Sequence, residues 1–279
     1  MELVRPVYFM HIPKTAGTSV HRFLADALGD DIVSPPMLWD SLVGEAAPGA
    51  DRWKVWVGHF SGLFPLWLGK WPIIFTVLRD PIARSISHIN HVQRVPEHPL
   101  HEQAKGLSVA EYCASPRLLR TVENYQARYL ASLSFSIDLM RPNQERAYAA
   151  VMLSLDDDLW ALDRGTGLLP NALRALDHID VVGISEASCA FLERLSQALE
   201  IPAPAGEYRL NTAGAADRSA ADLSPADLEA LRLATEIDQV VYEAAIARFR
   251  GDCERHGIRY SGLPLSPNCE SLRSVLRDF

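Results

Sequence analysis

Lys14, His59, Arg79 and Ser87 are the residues whose types and surroundings suit them to chemistry on an activated anion. Lys14 lies in His11-Ile12-Pro13-Lys14-Thr15-Ala16-Gly17-Thr18-Ser19, between an apolar run and a helical pattern. The small residues Thr15, Ala16, Gly17, Thr18 and Ser19 let backbone N–H groups approach an anion, the next helix offers its positive N-terminus, and Lys14 adds a full charge. Pro13 to Ser19 therefore read as a phosphate cradle. In the nucleotide P-loop the lysine follows the last glycine, whereas here Lys14 precedes Gly17 and no second glycine opens the turn, so a different donor is implied. Arg79 follows the apolar run Ile73 to Leu78, and Ser87 falls about two turns into the helix after it. A guanidinium fork and a directional hydroxyl converging there suit a second phosphate.

These side chains need a scaffold that brings strand ends together. Strands are predicted over Val7–His11, Val55–His59, Ile73–Leu78 and Asp180–Ile184, each followed by a helix. That pattern implies an α/β fold with a P-loop-like parallel sheet flanked by helices and a mostly helical C-terminal half. Pro81 suits the first turn of the helix after Arg79-Asp80. Loops are expected over about 34–52, 95–107 and 202–219, and one long helix from about Pro225 to Arg250. With 48% hydrophobic residues among 279, the chain has enough apolar material for one large core, and a single domain over 1–279 is expected.

The pair Pro-Lys-Thr-Ala-Gly-Thr-Ser and Leu-Arg-Asp-Pro-x-x-Arg-x-x-Ser resembles the two donor signatures of sulfotransferases that use 3′-phosphoadenosine 5′-phosphosulfate. The match is to the carbohydrate-type group, sulfotransferase family 2, which includes uronyl 2-O-sulfotransferases. Looser similarity continues at 124–130, 181–186 and 238–249. The resemblance implies that Pro13 to Ser19 grip the 5′-phosphosulfate and that Arg79 and Ser87 grip the 3′-phosphate. It also implies a saccharide or glycolipid acceptor, no metal cofactor, and a histidine base at the position of Gly58-His59. His59 is placed for that work at a strand end: an imidazole of ordinary pKa suits removal of a hydroxyl proton near neutrality. The alternative is a buried histidine bonded to backbone. Lys14 is expected to meet the charge that builds on the leaving phosphate.

Other residues carry weaker signals. Thr18 and Ser19 donate hydroxyls to phosphate or cap the helix, and both can hold at once because capping points the same N–H groups at the anion. Arg84 touches the 3′-phosphate or the acceptor, or pairs with Asp80 on a solvated face. His88 and His91 share a helix face and, with His98 and His101, form a histidine-rich segment that suits an acceptor better than a metal. Asn124, Gln126 and Arg128 either read sugar hydroxyls or decorate a helix surface. Asn211, Thr212 and Arg218 precede the last long helix, and Arg218 is a candidate phosphate contact. Asp156-Asp157-Asp158 reads as a solvated helix end. Cys113, Cys189, Cys253 and Cys269 have no C-x-x-C spacing and imply neither disulfide nor metal.

The net charge of −8 argues against a nucleic-acid binder and makes anion capture a matter of local lysine and arginine. A strand within the first ten residues, no basic leader and no apolar run of about 20 residues point to a cytoplasmic protein without a membrane segment, resembling a bacterial enzyme more than Golgi-anchored animal relatives. A P-loop kinase would share the strand, cradle and helix but needs the lysine after the glycine and a Walker-B acid. A non-catalytic carbohydrate- or nucleotide-binding protein is the remaining alternative.

Overall fold

Four apolar runs form a sheet in which every pairing is parallel: β1 (Val7–Met10), β2 (Val55–Gly58), β3 (Ile73–Leu78) and β4 (Val181–Ile184), in the order β2-β1-β3-β4. The computed structural model describes residues 5–39, 42, 52–140, 167–206, 208, 217–261 and 263. β1 is central and pairs in register with both neighbours, Met10 opposite Gly58 on one side and Thr76 on the other. The strands carry uninterrupted apolar sequence because helices and loops cover both faces, which leaves almost every strand residue buried. Outside β2, the chain at Ser34 and Met37 donates backbone N–H groups to Val55 and Val57, so that edge is also covered.

The helices are α1 (Gly17–Leu28), α2 (Phe64–Leu68), α3 (Pro81–Arg94), α4 (His101–Ala104), α5 (Val109–Ala114), α6 (Pro116–Leu119), α7 (Tyr125–Leu139), α8 (Leu168–Asp177), α9 (Ser188–Leu199), α10 (Pro225–Ala234) and α11 (Glu236–Arg255). Beyond β3 the described chain is mainly helical, with β4 its one strand. The main core surrounds the sheet, and a second apolar cluster, with Ile89, Val92, Tyr112 and Leu231, fastens α3 to α5 and α10. No helix among the described residues is long and apolar enough to cross a membrane.

Two local expectations are corrected. The segment 95–107 holds the short helix α4. The single helix expected from Pro225 to Arg250 is two, α10 and α11, broken at Thr235. Asn124 holds the break open: its N–H donates to the Ala234 carbonyl at 2.8 Å, and its Oδ1 accepts from the N–H groups of Ile237 (3.0 Å) and Asp238 (3.3 Å). A side chain 113 positions upstream of Ile237 thus caps α11.

The chain leaves β1 toward β2 on one side and returns to β3 on the other. The crevice between the carboxyl ends of β1 and β3 is therefore the topological switch point, the place where open α/β sheets bind ligands.

Candidate functional site

The turn after β1 is an unusual piece of backbone. Lys14 and Ala16 both have left-handed conformations, with φ of 72° and 73°, at a cost of about 1–2 kcal/mol each for a residue with a Cβ. Three consecutive carbonyls are held by side chains: Ile12 accepts from Thr15 Oγ1 at 2.8 Å, Pro13 from Arg84 Nε at 3.1 Å and Lys14 from Arg79 Nη1 at 3.2 Å. In a trans peptide the N–H points away from the carbonyl, so pinning the Pro13 and Lys14 carbonyls directs the Lys14 and Thr15 N–H groups the other way. The N-cap of α1 is Ala16, in the left-handed conformation, which offers no side-chain hydrogen bond to the first turn. Gly17 is compelled by a neighbour: a Cβ there would lie 1.8 Å from His11 Nε2.

The turn after β3 is braced from three directions. Asp80 caps α3 by accepting from the Ala83 N–H at 2.7 Å, with Pro81 in the first turn. Gln126 binds Arg79 twice, accepting its N–H at 3.0 Å and donating to its carbonyl at 2.8 Å. Glu186 accepts the Asp80 N–H at 3.1 Å and is itself held by the Tyr242 hydroxyl at 2.9 Å. Asp238, fully buried, accepts the N–H groups of Gln126 and Ala127 at 3.2 and 2.7 Å. Burial pushes its carboxyl up to about 6, against the two N–H bonds and Arg84. Gln126, Glu186 with Tyr242, and Asp238 thus all support the Arg79-Asp80 junction.

His59 follows β2, its N–H fixed to the Met37 carbonyl at 3.0 Å and its Nδ1 2.8 Å from the His11 carbonyl. A carbonyl only accepts, so Nδ1 carries the proton and Nε2 presents a lone pair whenever the ring is neutral. Burial holds its pKa below the ordinary imidazole value, partly opposed by the bond to His11. The His11 ring faces it at 4.3 Å between centroids and stacks on Phe9; its Nδ1 is buried without a hydrogen-bond partner, and burial keeps it neutral.

Lys14, His59, Arg79 and Ser87 line one cleft of about 710 Å³ at the switch point. His88, His91 and His98 also line it, as do His11, Pro13, Ala16, Gly17 and Thr18. A neighbouring hollow of about 540 Å³ shares Lys14, Arg79, Ser87 and His91 and adds Arg94 and Arg218. Burial, then the positive charges of Arg94, Arg79 and Arg84, lower the pKa of Lys14, an arrangement that an incoming anion relieves.

The remaining expected contacts divide. Arg218 borders the hollow, its guanidinium on Gln93. Thr15 and Ser19 are buried and do not line the cleft by side chain. Arg84 is neither on a solvated face nor open to an acceptor: it is completely buried, stacked 4.0 Å over Tyr125, and bonded to the carbonyls of Pro13 and Thr121. Asn124, Gln126 and Arg128 do not line the cleft either; they cap α11, clamp Arg79 and bond the Arg120 carbonyl, respectively. His101 turns inward to the Val92 carbonyl. Asp156 to Asp158, Asn211, Thr212 and Cys269 lie outside the described residues. Among the described residues no group of three or more His, Cys, Asp or Glu is placed to hold a metal ion. His11 was legible only as the first residue of the turn; two histidines ending adjacent strands were the available signal.

No protein-family model matches the chain, and no curated protein matches it.

Proposed function

We propose that the chain is a sulfotransferase of a single domain, moving a sulfuryl group from 3′-phosphoadenosine 5′-phosphosulfate to an acceptor hydroxyl, with a saccharide as the leading acceptor class. The observation that carries this reading is the meeting of Lys14, His59, Arg79 and Ser87 on one cleft at the switch point. The residues present suit the donor. A helix N-terminus and Lys14 face the position for the 5′-phosphosulfate, and the adjoining hollow, with Arg79, Ser87, Arg94 and Arg218, is cationic where a 3′-phosphate would lie.

The donor supplies a sulfuryl group activated by a phosphate leaving group. His59 Nε2 takes the hydroxyl proton as the acceptor oxygen bonds to sulfur. The sulfur–oxygen bond to the phosphate breaks, its electron pair stays on the phosphate oxygen, and Lys14 with the α1 N–H groups stabilises that growing charge more than the ground state. This leaves adenosine 3′,5′-bisphosphate and a sulfated acceptor. The leaving charge is met by an ammonium and backbone dipoles, so no metal enters the scheme. A nucleotide kinase is disfavoured because β3 ends at Leu78 and the next residue, Arg79, presents a guanidinium to the cleft.

Calorimetry with adenosine 3′,5′-bisphosphate and AMP tests the reading. Binding of the bisphosphate at least about tenfold tighter than AMP is expected from an arginine–phosphate contact. Equal affinity overturns the donor assignment.

A further inference from the structure

The second hollow is bordered by four cations, Lys14, Arg79, Arg94 and Arg218, and by two carboxylates, Asp80 and Asp217. Asp80 is engaged in capping α3. Asp217 places both oxygens on Arg94 Nη1, at 2.5 and 2.6 Å, and its side chain is 14% exposed against 53% for Arg94. The backbone beside it is tied to the same helix, since Asn90 Nδ2 donates to the Arg218 carbonyl at 2.8 Å and the Arg218 guanidinium reaches Gln93.

Ser87, His91 and Arg94 recur at intervals of four and three, so they share one face of α3. Side chains on a helix lean toward its N-terminus, so the Arg94 head group points toward the Ser87 end of that face, and both residues line the same hollow. Arg94 is also the charge that most depresses the Lys14 pKa, and Asp217 is the one that opposes it, so both lie within electrostatic reach of the ammonium. A carboxylate here occupies ground that a phosphate dianion fills better: it offers two acceptor oxygens where phosphate offers three, and one negative charge where phosphate carries nearly two.

Resting on the donor reading above, we propose that Arg94 is a further ligand of the donor's 3′-phosphate and that Asp217 is its internal counter-ion, displaced when that phosphate binds. Arg94 favours a charged 3′ group, and Asp217 tempers that preference. A 3′-phosphate compensates for releasing Arg94 from Asp217, whereas a 3′-hydroxyl does not and leaves the pair closed. Asp217 therefore competes with the 3′-phosphate for Arg94 and bears little on a nucleotide that carries a 3′-hydroxyl.

The test is calorimetry with adenosine 3′,5′-bisphosphate and AMP on wild type, Asp217→Asn and Arg94→Gln, with thermal melting to verify folding. Asp217→Asn should bind the bisphosphate about tenfold tighter, because a like charge is gone, with AMP changed less than about threefold. Arg94→Gln should bind the bisphosphate about tenfold weaker, again sparing AMP. In the doubly substituted protein most of the gain from Asp217→Asn should vanish. If wild type prefers the bisphosphate but folded Asp217→Asn binds it equally or more weakly, Asp217 is a positioning group and the proposal is overturned while the donor reading stands. If wild type fails to prefer the bisphosphate, the donor reading falls and this proposal with it.

Discussion

Gln126 makes two hydrogen bonds to the backbone of one residue, Arg79, accepting from its N–H and donating to its carbonyl across 47 positions of sequence. The amide closes the end of β3 as a neighbouring strand would, and it does so where the chain must turn into α3. The orientation of the Arg79 guanidinium is inherited from that clamp.

Gln126→Leu should therefore weaken both fold and site. It removes two bonds and leaves a backbone donor and acceptor facing an apolar side chain, at about 1–3 kcal/mol each. Urea unfolding should record a loss of about 2–4 kcal/mol. Calorimetry on the folded fraction should record weaker binding of adenosine 3′,5′-bisphosphate. Wild-type stability in this variant would mean that the clamp is dispensable.

Asp238 supplies a pH signature. Burial raises its folded-state pKa to about 6, above the ordinary 3.8, so the folded protein holds this proton more tightly than the unfolded chain. The stability it contributes is complete below about pH 4 and is lost as pH rises through about 6, a total near 3 kcal/mol. Relative to Asp238→Asn, which cannot ionise, wild type should lose unfolding free energy between pH 4 and 6.5. A difference between the two proteins that stays constant over that range would show that Asp238 keeps an ordinary pKa.

Gly17 and His11 form a steric pair. Gly17→Ala places a methyl 1.8 Å from His11 Nε2, so the ring must move from its position against His59. The single substitution should cost about 1–3 kcal/mol, as overpacking does. His11→Ala removes the obstacle, and adding Gly17→Ala to it should cost much less. Denaturation of all four proteins closes the cycle; equal costs in both backgrounds would exclude His11 as the reason for the glycine.

The strand ends and the two strand-to-helix junctions were legible in sequence because local chemistry determines them. Apolar runs that must be buried on both faces stop at small residues or proline, as at Met10 before the Lys14 turn and at Leu78 before Asp80-Pro81. Residues whose roles depend on distant partners were not legible. Arg84 reads as a contact to phosphate or acceptor or as a partner of Asp80 on a solvated face, yet it is buried because the Pro13 and Thr121 carbonyls and the Tyr125 ring receive it. The break at Thr235 carries neither glycine nor proline and exists through Asn124. Asn124 and Gln126 read equally as sugar contacts or as helix-surface groups, since an amide that serves backbone and one that serves a ligand are the same residue in sequence.

His59 and Arg79 should separate chemistry from binding. The bond from Nδ1 to the His11 carbonyl leaves Nε2 as the basic atom, and burial keeps the neutral ring populated below the usual imidazole range. His59→Ala should thus retain affinity for adenosine 3′,5′-bisphosphate while turnover of a hydroxyl acceptor falls by roughly 10²- to 10⁴-fold. The wild-type kcat/KM should rise with pH and level off at or below about 6.5, since protonation of a group with a depressed pKa removes the base only in acid. Arg79→Ala should weaken binding of the bisphosphate first and reduce turnover only as far as the donor is misplaced. Circular dichroism must report both variants folded, because each lies at a strand end. A folded His59→Ala protein that turns over acceptor at the parental rate assigns the proton to another group, and His88, His91 and His98 would be the next place to look.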